Sequence, residues 1–133
     1  MIEIPKDIHD DLIAHVREGF PLEVCGILGG TGETVSAIYR MTNTDASNEH
    51  FMMDPKEKFT VVKDLRAKGL AMLAIYHSHP DTPARPSEED IKLALTPDVS
   101  YVIISLADAV APSIKSYKIS SGNVQIEKIE VIV

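Results

Sequence analysis

Two histidines separated by one residue are the strongest chemical signal in this sequence. His77 and His79 follow an apolar run of strand length, and residues i and i+2 of a strand point to the same side. Both imidazoles are therefore expected to reach one metal ion. Asp90 lies in the first turn of the next predicted helix and can supply an oxygen as the third ligand. Two histidines and a carboxylate leave a fourth tetrahedral position for water, which is typical of catalytic rather than structural zinc.

Glu23 is the candidate base for such a water molecule. The apolar segment 22–28 predicts a strand in which Glu23 shares a face with Cys25 and Ile27. A carboxylate in that buried row is costly unless a partner compensates for its burial, and a neighbouring metal site would do so. We expect Glu23 to take a proton from the water and to pass it to the leaving amine.

Ser87 has two interpretations. It stands before three acidic residues, a pattern that predicts a helix N-cap. Its hydroxyl could also stabilise the oxyanion that forms when a carbonyl is attacked. Three further polar residues fall in a loop that the chain can bring to the cleft, and the sequence leaves a direct role open for Asn43, Glu49 and His50.

The elements that must position these residues form a predicted α/β fold, a mixed central β-sheet flanked by about three helices. Proline, glycine and capping signals around helical spacing predict helices at 5–19, 55–69 and 87–96. With a hairpin turn at 29–32, apolar runs predict strands at 2–4, 22–28, 34–41, 70–76, 101–106, 114–119 and 124–133. A short strand at 50–53 is predicted as an edge for an extended substrate.

The strand at 70–76 decides where the site lies. Its residues are continuously apolar, which predicts a central strand buried on both faces. It leads directly into the two histidines, so the predicted metal site is at the end of that strand. In the first helix, His9 and His15 fall outside the apolar face and are predicted to be solvated.

Composition and charge exclude several other functions. The chain has 133 residues, 44% of them hydrophobic and 25% charged, which predicts a single domain over residues 1–133. The net charge of −7 disfavours nucleic acids and anionic membranes as partners. No apolar run approaches the roughly 20 residues of a membrane helix. With one cysteine, Cys25, and no signal-peptide pattern, the chain is predicted to be cytoplasmic.

Together these residues resemble the JAMM (MPN+) metallopeptidase motif. That motif is a distant Glu, then H-S/T-H-P, a six-residue spacer and S-x-x-D. This chain matches every position with Glu23, with His-Ser-His-Pro at 77–80 and with Ser-Glu-Glu-Asp at 87–90. The segment Pro-Leu-Glu-Val-Cys-Gly at 21–26 is also similar to the surroundings of the family's glutamate. The order of predicted elements agrees with the family over nearly the whole chain.

The resemblance implies a cytidine-deaminase-like fold and one zinc ion per chain, held by His77, His79 and Asp90. It also implies that Glu23 is the general acid and base and that Ser87 stabilises the oxyanion. Members of the family hydrolyse peptide or isopeptide bonds after the C-terminal Gly-Gly of ubiquitin or ubiquitin-like proteins. Linkage-selective members carry inserted loops around the site, and a chain of 133 residues leaves little room for them. We therefore expect a minimal prokaryotic enzyme that trims or releases a ubiquitin-like sulfur carrier, for example by removing a C-terminal cysteine.

Other functions remain as alternatives at this point. A non-catalytic MPN scaffold would be expected to lack a metal ligand, and none is missing here. A zinc hydrolase of small-molecule amides would use the same residues on another substrate. A cysteine peptidase would pair Cys25 with a histidine, but it leaves the clustered His77, His79 and Asp90 unexplained, and Cys25 is expected to be a small buried hydrophobe. The sequence predicts no oligomeric state.

Overall fold

The computed structural model describes residues 1–133 as three helices and eight strands. The helices are α1 (Lys6–Gly19), α2 (Pro55–Ala67) and α3 (Glu88–Lys92). The strands are β1 (Ile2–Pro5), β2 (Cys25–Thr31), β3 (Thr34–Met41), β4 (Ala71–His79), β5 (Ser100–Ser105), β6 (Ser113–Ser120), β7 (Asn123–Glu127) and β8 (Ile129–Ile132). The predicted α/β class with three helices is confirmed.

All eight strands belong to one mixed sheet with the order β7-β6-β5-β4-β2-β3-β1-β8. β4 lies in its interior, antiparallel to β2 and parallel to β5. A parallel step needs a crossover connection, and the segment that contains α3 provides it. The interior position agrees with the apolar sequence of β4, in which residues 74–79 are all buried.

Each face of the sheet carries its own core. On one face, α1 packs against Ala74 and Tyr76 of β4, and on the opposite face α2 packs against Ile27 of β2. Side chains alternate along a strand, so His77 and His79 point to the face that α2 covers. The site is therefore built on a strand whose backbone is held on both sides.

The predicted C-terminal strand at 124–133 is wrong as a single strand. β7 pairs with β6, whereas β8 pairs with β1, at the other end of the sheet order. Only Lys128 separates the two strands, and its carbonyl accepts a hydrogen bond of 2.9 Å from the N–H of Ile2. The sheet therefore curls until its two edges meet at Lys128. Both halves have similar apolar patterns, so the pattern did not reveal the change of partner.

The hairpin between β2 and β3 differs from the prediction at both ends of β2. The strand begins at Cys25, which places Glu23 just before it. Gly29 and Gly30 lie inside the strand at a shift of register, and the turn follows at Gly32, whose φ is +63°. Glycine suits both places, because it tolerates close backbone approach and positive φ.

The third helix is shorter than predicted. It ends at Lys92 rather than at residue 96. The backbone of Thr96 is bound by the hydroxyl of Tyr101, which accepts from its N–H at 3.1 Å and donates to its carbonyl at 3.0 Å. Because Tyr101 satisfies these groups, the segment after α3 does not need helical hydrogen bonds.

Two further expectations are corrected by tertiary contacts. Residues 50–53 form no strand, since the only pairing there is an isolated bridge between Asn43 and Met53. His15 is half-buried rather than solvated, and its Nδ1 lies 2.6 Å from the hydroxyl of Tyr76. No helix in the structure combines the length and the apolar character needed to cross a membrane.

Candidate metal centre

The end of β4 and the start of α3 bring three potential metal ligands together. His79 Nε2 lies 3.2 Å from His77 Nε2 and 3.0 Å from Asp90 Oδ2, and His77 Nε2 lies 3.2 Å from the same oxygen. The two histidines are buried and Asp90 is half-buried. We call these three residues the His-His-Asp cluster. The predicted juxtaposition of all three side chains is therefore present.

The spacing within the His-His-Asp cluster suits a tetrahedral metal ion. Ligand atoms at 2.0–2.1 Å from such an ion stand about 3.3 Å apart, close to the separations observed here. Two imidazole nitrogens and one carboxylate oxygen also form a donor set that zinc favours. The residues present therefore fit a zinc ion.

Contacts with neighbouring residues orient the three side chains of the cluster. His79 Nδ1 lies 2.9 Å from the carbonyl of Pro83, which makes Nδ1 the protonated nitrogen and leaves the Nε2 lone pair free for a metal. Asp90 Oδ2 accepts a hydrogen bond of 2.9 Å from the N–H of Ser87. The ring of Phe51 stacks on that of His77 with centroids 4.7 Å apart. His77 Nδ1 is buried and has no hydrogen-bond partner in the protein.

The electrostatics of the cluster favour the ligating forms of Asp90 and His77, whereas without a metal they favour the protonated form of His79. Burial opposes ionisation of Asp90, but hydrogen bonds from both histidines outweigh it and hold its pKa well below the usual range. Burial lowers the pKa of His77 and keeps it neutral. For His79, burial is outweighed by Asp90 and the Pro83 carbonyl, which raise its pKa. An ionised carboxylate beside neutral imidazole is the state that binds divalent metal.

Glu23 lies beside this cluster with an unusual carboxyl group. The residue is 3% exposed, and its Oε1 has no hydrogen-bond partner in the protein. Burial raises the pKa of Glu23 to about 7, with His79 opposing the rise and Asp90 reinforcing it. A carboxyl that gains and loses a proton near neutral pH is suited to general acid and base chemistry.

Ser78 is a positioning residue that the sequence reasoning did not single out. Its hydroxyl accepts a hydrogen bond of 2.8 Å from the N–H of Val24, and its own N–H donates to the Val24 carbonyl at 3.0 Å. These bonds hold the residues before β2 against the end of β4, next to the two histidines. A signal was available, because Ser78 is a polar residue on the fully buried side of an interior strand.

Ser87 is an exposed residue, and the structure shows its capping role directly. Its Oγ accepts from the N–H of Asp90 at 3.0 Å, while the Asp90 carboxylate accepts from the N–H of Ser87. This reciprocal capping box fixes Asp90 in the first turn of α3. The oxyanion role of Ser87 stays a prediction.

A cavity of about 30 Å³ opens beside His77 and Asp90. His50 and Glu89 also line this cavity. The rest of its wall is formed by Phe51, Leu93, Tyr101, Ile103 and Ile119. Of the polar loop residues, His50 lines this cavity, Asn43 contacts the backbone of Glu23, and Glu49 is exposed.

Cys25 does not form a catalytic pair with a histidine. It is fully buried, and its thiol donates to the carbonyl of Thr42 at 3.7 Å. Burial raises the pKa of Cys25 to about 12, so the thiol stays protonated. These features agree with the expected buried hydrophobe.

Comparison with known families gives a match over most of the chain. The model for prokaryotic homologs of the JAB domain matches residues 5–120. The chain belongs to this family. The predicted JAMM/MPN membership is therefore confirmed, and the hydrolase class that goes with it is supported by relatives that are named as peptidases.

Two such relatives match the JAB-domain chain over most of their own length. It is 33% identical over 134 residues to the CysO-cysteine peptidase of Mycobacterium tuberculosis, covering 99% of this chain and 92% of the peptidase. It is 32% identical over 111 residues to the desampylase of Haloferax volcanii, covering 78% of this chain and 80% of the desampylase.

Solved structures confirm the fold. A protein from Desulfitobacterium hafniense matches with a TM-score of 0.90 and 46% identity, covering 99% of this chain and 93% of that protein. A JAB1/MPN domain protein from Archaeoglobus fulgidus matches with a TM-score of 0.67 and 19% identity, covering 100% and 98% of the two chains. The second likeness shows the fold alone, and that fold is the predicted one.

Proposed function

We propose that this JAB-domain protein is a zinc peptidase that hydrolyses the bond after the C-terminal Gly-Gly of a ubiquitin-like sulfur-carrier protein. The observation that supports it most is the unpartnered, buried carboxyl of Glu23 beside the His-His-Asp cluster. A buried carboxyl without a partner is costly, and a metal site with its water would offset that cost.

His77, His79 and Asp90 would hold the zinc ion. When bound, zinc polarises the scissile carbonyl and lowers the pKa of a water molecule. The protein orients these ligands. The carbonyl of Pro83 sets the tautomer of His79, and the N–H of Ser87 holds the Asp90 oxygen.

Glu23 would carry the proton. Its Oε1 receives a proton as water attacks the carbonyl carbon, and the same oxygen returns it to the amine that leaves. A pKa near 7 suits both steps, because neither the acid nor the carboxylate form is strongly favoured at neutral pH. Its surroundings exclude bulk water, since Glu23 is almost fully buried.

Ser87 would act on the carbonyl oxygen. Its Oγ already accepts the capping hydrogen bond from Asp90, so its hydroxyl hydrogen is free to donate to a developing oxyanion. The capping and catalytic roles use different parts of the same hydroxyl group and are compatible.

The substrate proposal rests on the small cavity and on the named relatives. A cavity of about 30 Å³ beside His77 and Asp90 has room for little more than one or two water molecules. A glycine tail has no side chains to accommodate beside the His-His-Asp cluster. The relatives carry the names CysO-cysteine peptidase and desampylase, which support a protein tail rather than a small amide.

A non-catalytic scaffold and a hydrolase of small amides are the alternatives. The scaffold is disfavoured because all three predicted ligands are present and converge. A small-amide hydrolase would share every catalytic residue and differ only in substrate, so it must be separated by assay.

The test combines metal analysis with hydrolysis. Purified wild-type protein is expected to contain about one zinc per chain, and His77→Ala to contain almost none. The wild type should release the leaving group from a sulfur carrier extended beyond its Gly-Gly, and Glu23→Gln should retain zinc but lose activity by about 10²-fold or more. Wild type that takes up no zinc when offered it would sink the peptidase proposal. Zinc without cleavage of the carrier, but with cleavage of a small amide, would favour the second alternative.

A further inference from the structure

The backbone of Glu23 is held by a loop rather than by the sheet. β2 begins two residues later, so Glu23 has no strand pairing of its own. Its N–H donates to the carbonyl of Ser47 at 2.8 Å, and its carbonyl accepts from Nδ2 of Asn43 at 3.0 Å. Both partners belong to residues 43–53, which we call the 43–53 loop.

The side chain of Asn43 uses its full hydrogen-bonding capacity inside this loop. Besides Glu23, its Nδ2 donates to the carbonyl of His50 at 3.0 Å. Its Oδ1 accepts from the N–H groups of Asp45 and Met52, both at 3.1 Å. An amide offers two donor hydrogens and two acceptor lone pairs, so all four are occupied. Two carbonyls on one side and two N–H groups on the other also define the orientation of the amide.

The same loop touches the metal cluster at a second point. Phe51 stacks on the imidazole of His77, and together with His50 it forms a wall of the cavity beside that histidine. Asn43 therefore joins the backbone of Glu23 to the loop residues His50 and Met52, which stand on either side of Phe51.

We propose that Asn43 is a positioning residue that sets where the Glu23 carboxyl stands relative to the His-His-Asp cluster. This inference rests on the proposed function for its catalytic consequence, but its structural content does not. Without the Asn43 amide, the carbonyl of Glu23 loses its hydrogen-bond partner. The loop also loses the bonds from Asn43 to Asp45, His50 and Met52, which hold it in the conformation where the Ser47 carbonyl accepts from the Glu23 N–H. A base held less well spends less time in reacting geometry, so turnover falls more than substrate binding.

Three variants separate this role from general loosening of the loop. Asn43→Ala removes all four hydrogen bonds. Asn43→Asp keeps the acceptor oxygen for Asp45 and Met52 but replaces the donor that Glu23 and His50 need. Thr44→Val is the matched control, since the Thr44 hydroxyl donates to the Met52 carbonyl in the same loop and does not touch Glu23.

Amide hydrogen exchange gives the readout that does not depend on activity. In both Asn43 variants, exchange at the Glu23 N–H is expected to be about ten-fold or more faster than in wild type, with no such change in Thr44→Val. Ile27, in the middle of interior strand β2, reports overall unfolding and should exchange at the wild-type rate. Equal acceleration at Glu23 and Ile27, or none at Glu23, would overturn the proposal.

Kinetics on zinc-loaded protein gives the second readout. With the sulfur carrier extended beyond Gly-Gly as the probe, kcat should fall about ten-fold in both Asn43 variants, while KM and zinc content stay near wild type. A loss of zinc, or a kcat equal to that of Thr44→Val, would overturn the positioning role. If the wild type cleaved nothing but the exchange results held, the proposed function would fail and the holding of Glu23 by Asn43 would stand.

Discussion

Ser78 and Val24 are joined by two hydrogen bonds across the start of β2 and the end of β4. The N–H of Val24 donates to the Ser78 hydroxyl, and the N–H of Ser78 donates to the Val24 carbonyl. Cys25 pairs with His77 in the register of these strands, so the Ser78 contact extends the pairing by one residue. Continued by one more residue, this register places Glu23 opposite His79. The candidate base and a candidate ligand are thus aligned by one buried serine.

Ser78→Ala should therefore destabilise the fold. The variant leaves the buried N–H of Val24 without its partner, which costs about 1–3 kcal/mol in the free energy of unfolding. Urea denaturation would measure it, with Ser36→Ala as the control because Ser36 is an exposed serine of β3. Equal effects of the two substitutions would mean that the Val24 contact contributes little.

Gly26→Ala should be destabilising because the backbone of β2 passes directly over a buried ring. A methyl group at Gly26 would overlap the edge and hydroxyl of Tyr76, which is fully buried. We expect a loss of about 1–3 kcal/mol in thermal or urea unfolding.

Tyr76→Leu tests the cause of that loss, since leucine lacks the ring atoms that would clash. In a double-mutant cycle, Gly26→Ala should cost clearly less in the Tyr76→Leu background than in the wild-type one. Additive losses would mean that the clash with Tyr76 is not the cause.

Glu23→Gln should change how the stability of the metal-free protein depends on pH. Burial raises the pKa of Glu23 from 4.5 to about 7, so the folded state favours the neutral carboxyl. The contribution of the neutral Glu23 carboxyl to the stability of the wild type is then fully present below pH 4.5 and is lost as pH rises through about 7. Glutamine is neutral throughout.

Melting curves at two pH values check this. The variant should melt higher than wild type at about pH 8 and at nearly the same temperature at about pH 4, after removal of metal with a chelator. Glu49→Gln, at an exposed loop position, is the control and should show no such difference. A Glu23→Gln effect independent of pH would contradict the proposed burial of the charge.

Cys25 should be inert in the folded protein. Its thiol is fully buried and its pKa is raised to about 12, so almost no thiolate exists at about pH 8. Mass spectrometry should show no alkylation by iodoacetamide until the protein is unfolded, and Cys25→Ala should retain hydrolysis. Rapid alkylation with loss of activity would revive the cysteine peptidase.

Ser87 can be dissected by its replacements. Ser87→Gly removes the hydroxyl, and glycine is a tolerated N-cap, so stability should fall by only a few tenths of a kcal/mol. If the hydroxyl stabilises the oxyanion, kcat should nevertheless fall by about 10²-fold, and Ser87→Thr should restore most of it. If Ser87→Gly lost only a little stability and a similarly small part of its activity, Ser87 would act as a helix cap and not in catalysis.

The helix and strand assignments show where local patterns suffice. The start of α2 was predictable because Asp54 and Pro55 act on their immediate neighbours, and the direction of His77 and His79 follows from the period of a strand. Lys128 shows the opposite case. Its neighbours have one apolar pattern, but the strand changes partners there, and only the curling of the whole sheet decides this.

By itself, the sequence determined which residues are the candidate ligands and what chemistry they could perform. His77, His79 and Asp90 lie on consecutive elements, so strand periodicity and a helix cap were enough to bring them together. The tertiary structure alone decided how the backbone of Glu23 is held and which residues form hydrogen bonds with it. Its partners Asn43 and Ser47 lie on a loop with no regular secondary structure, and the Ser78 contact spans 54 residues of chain. Hydrogen bonds between such distant segments leave no periodic trace, because they depend on how the elements pack and not on the spacing within any one of them.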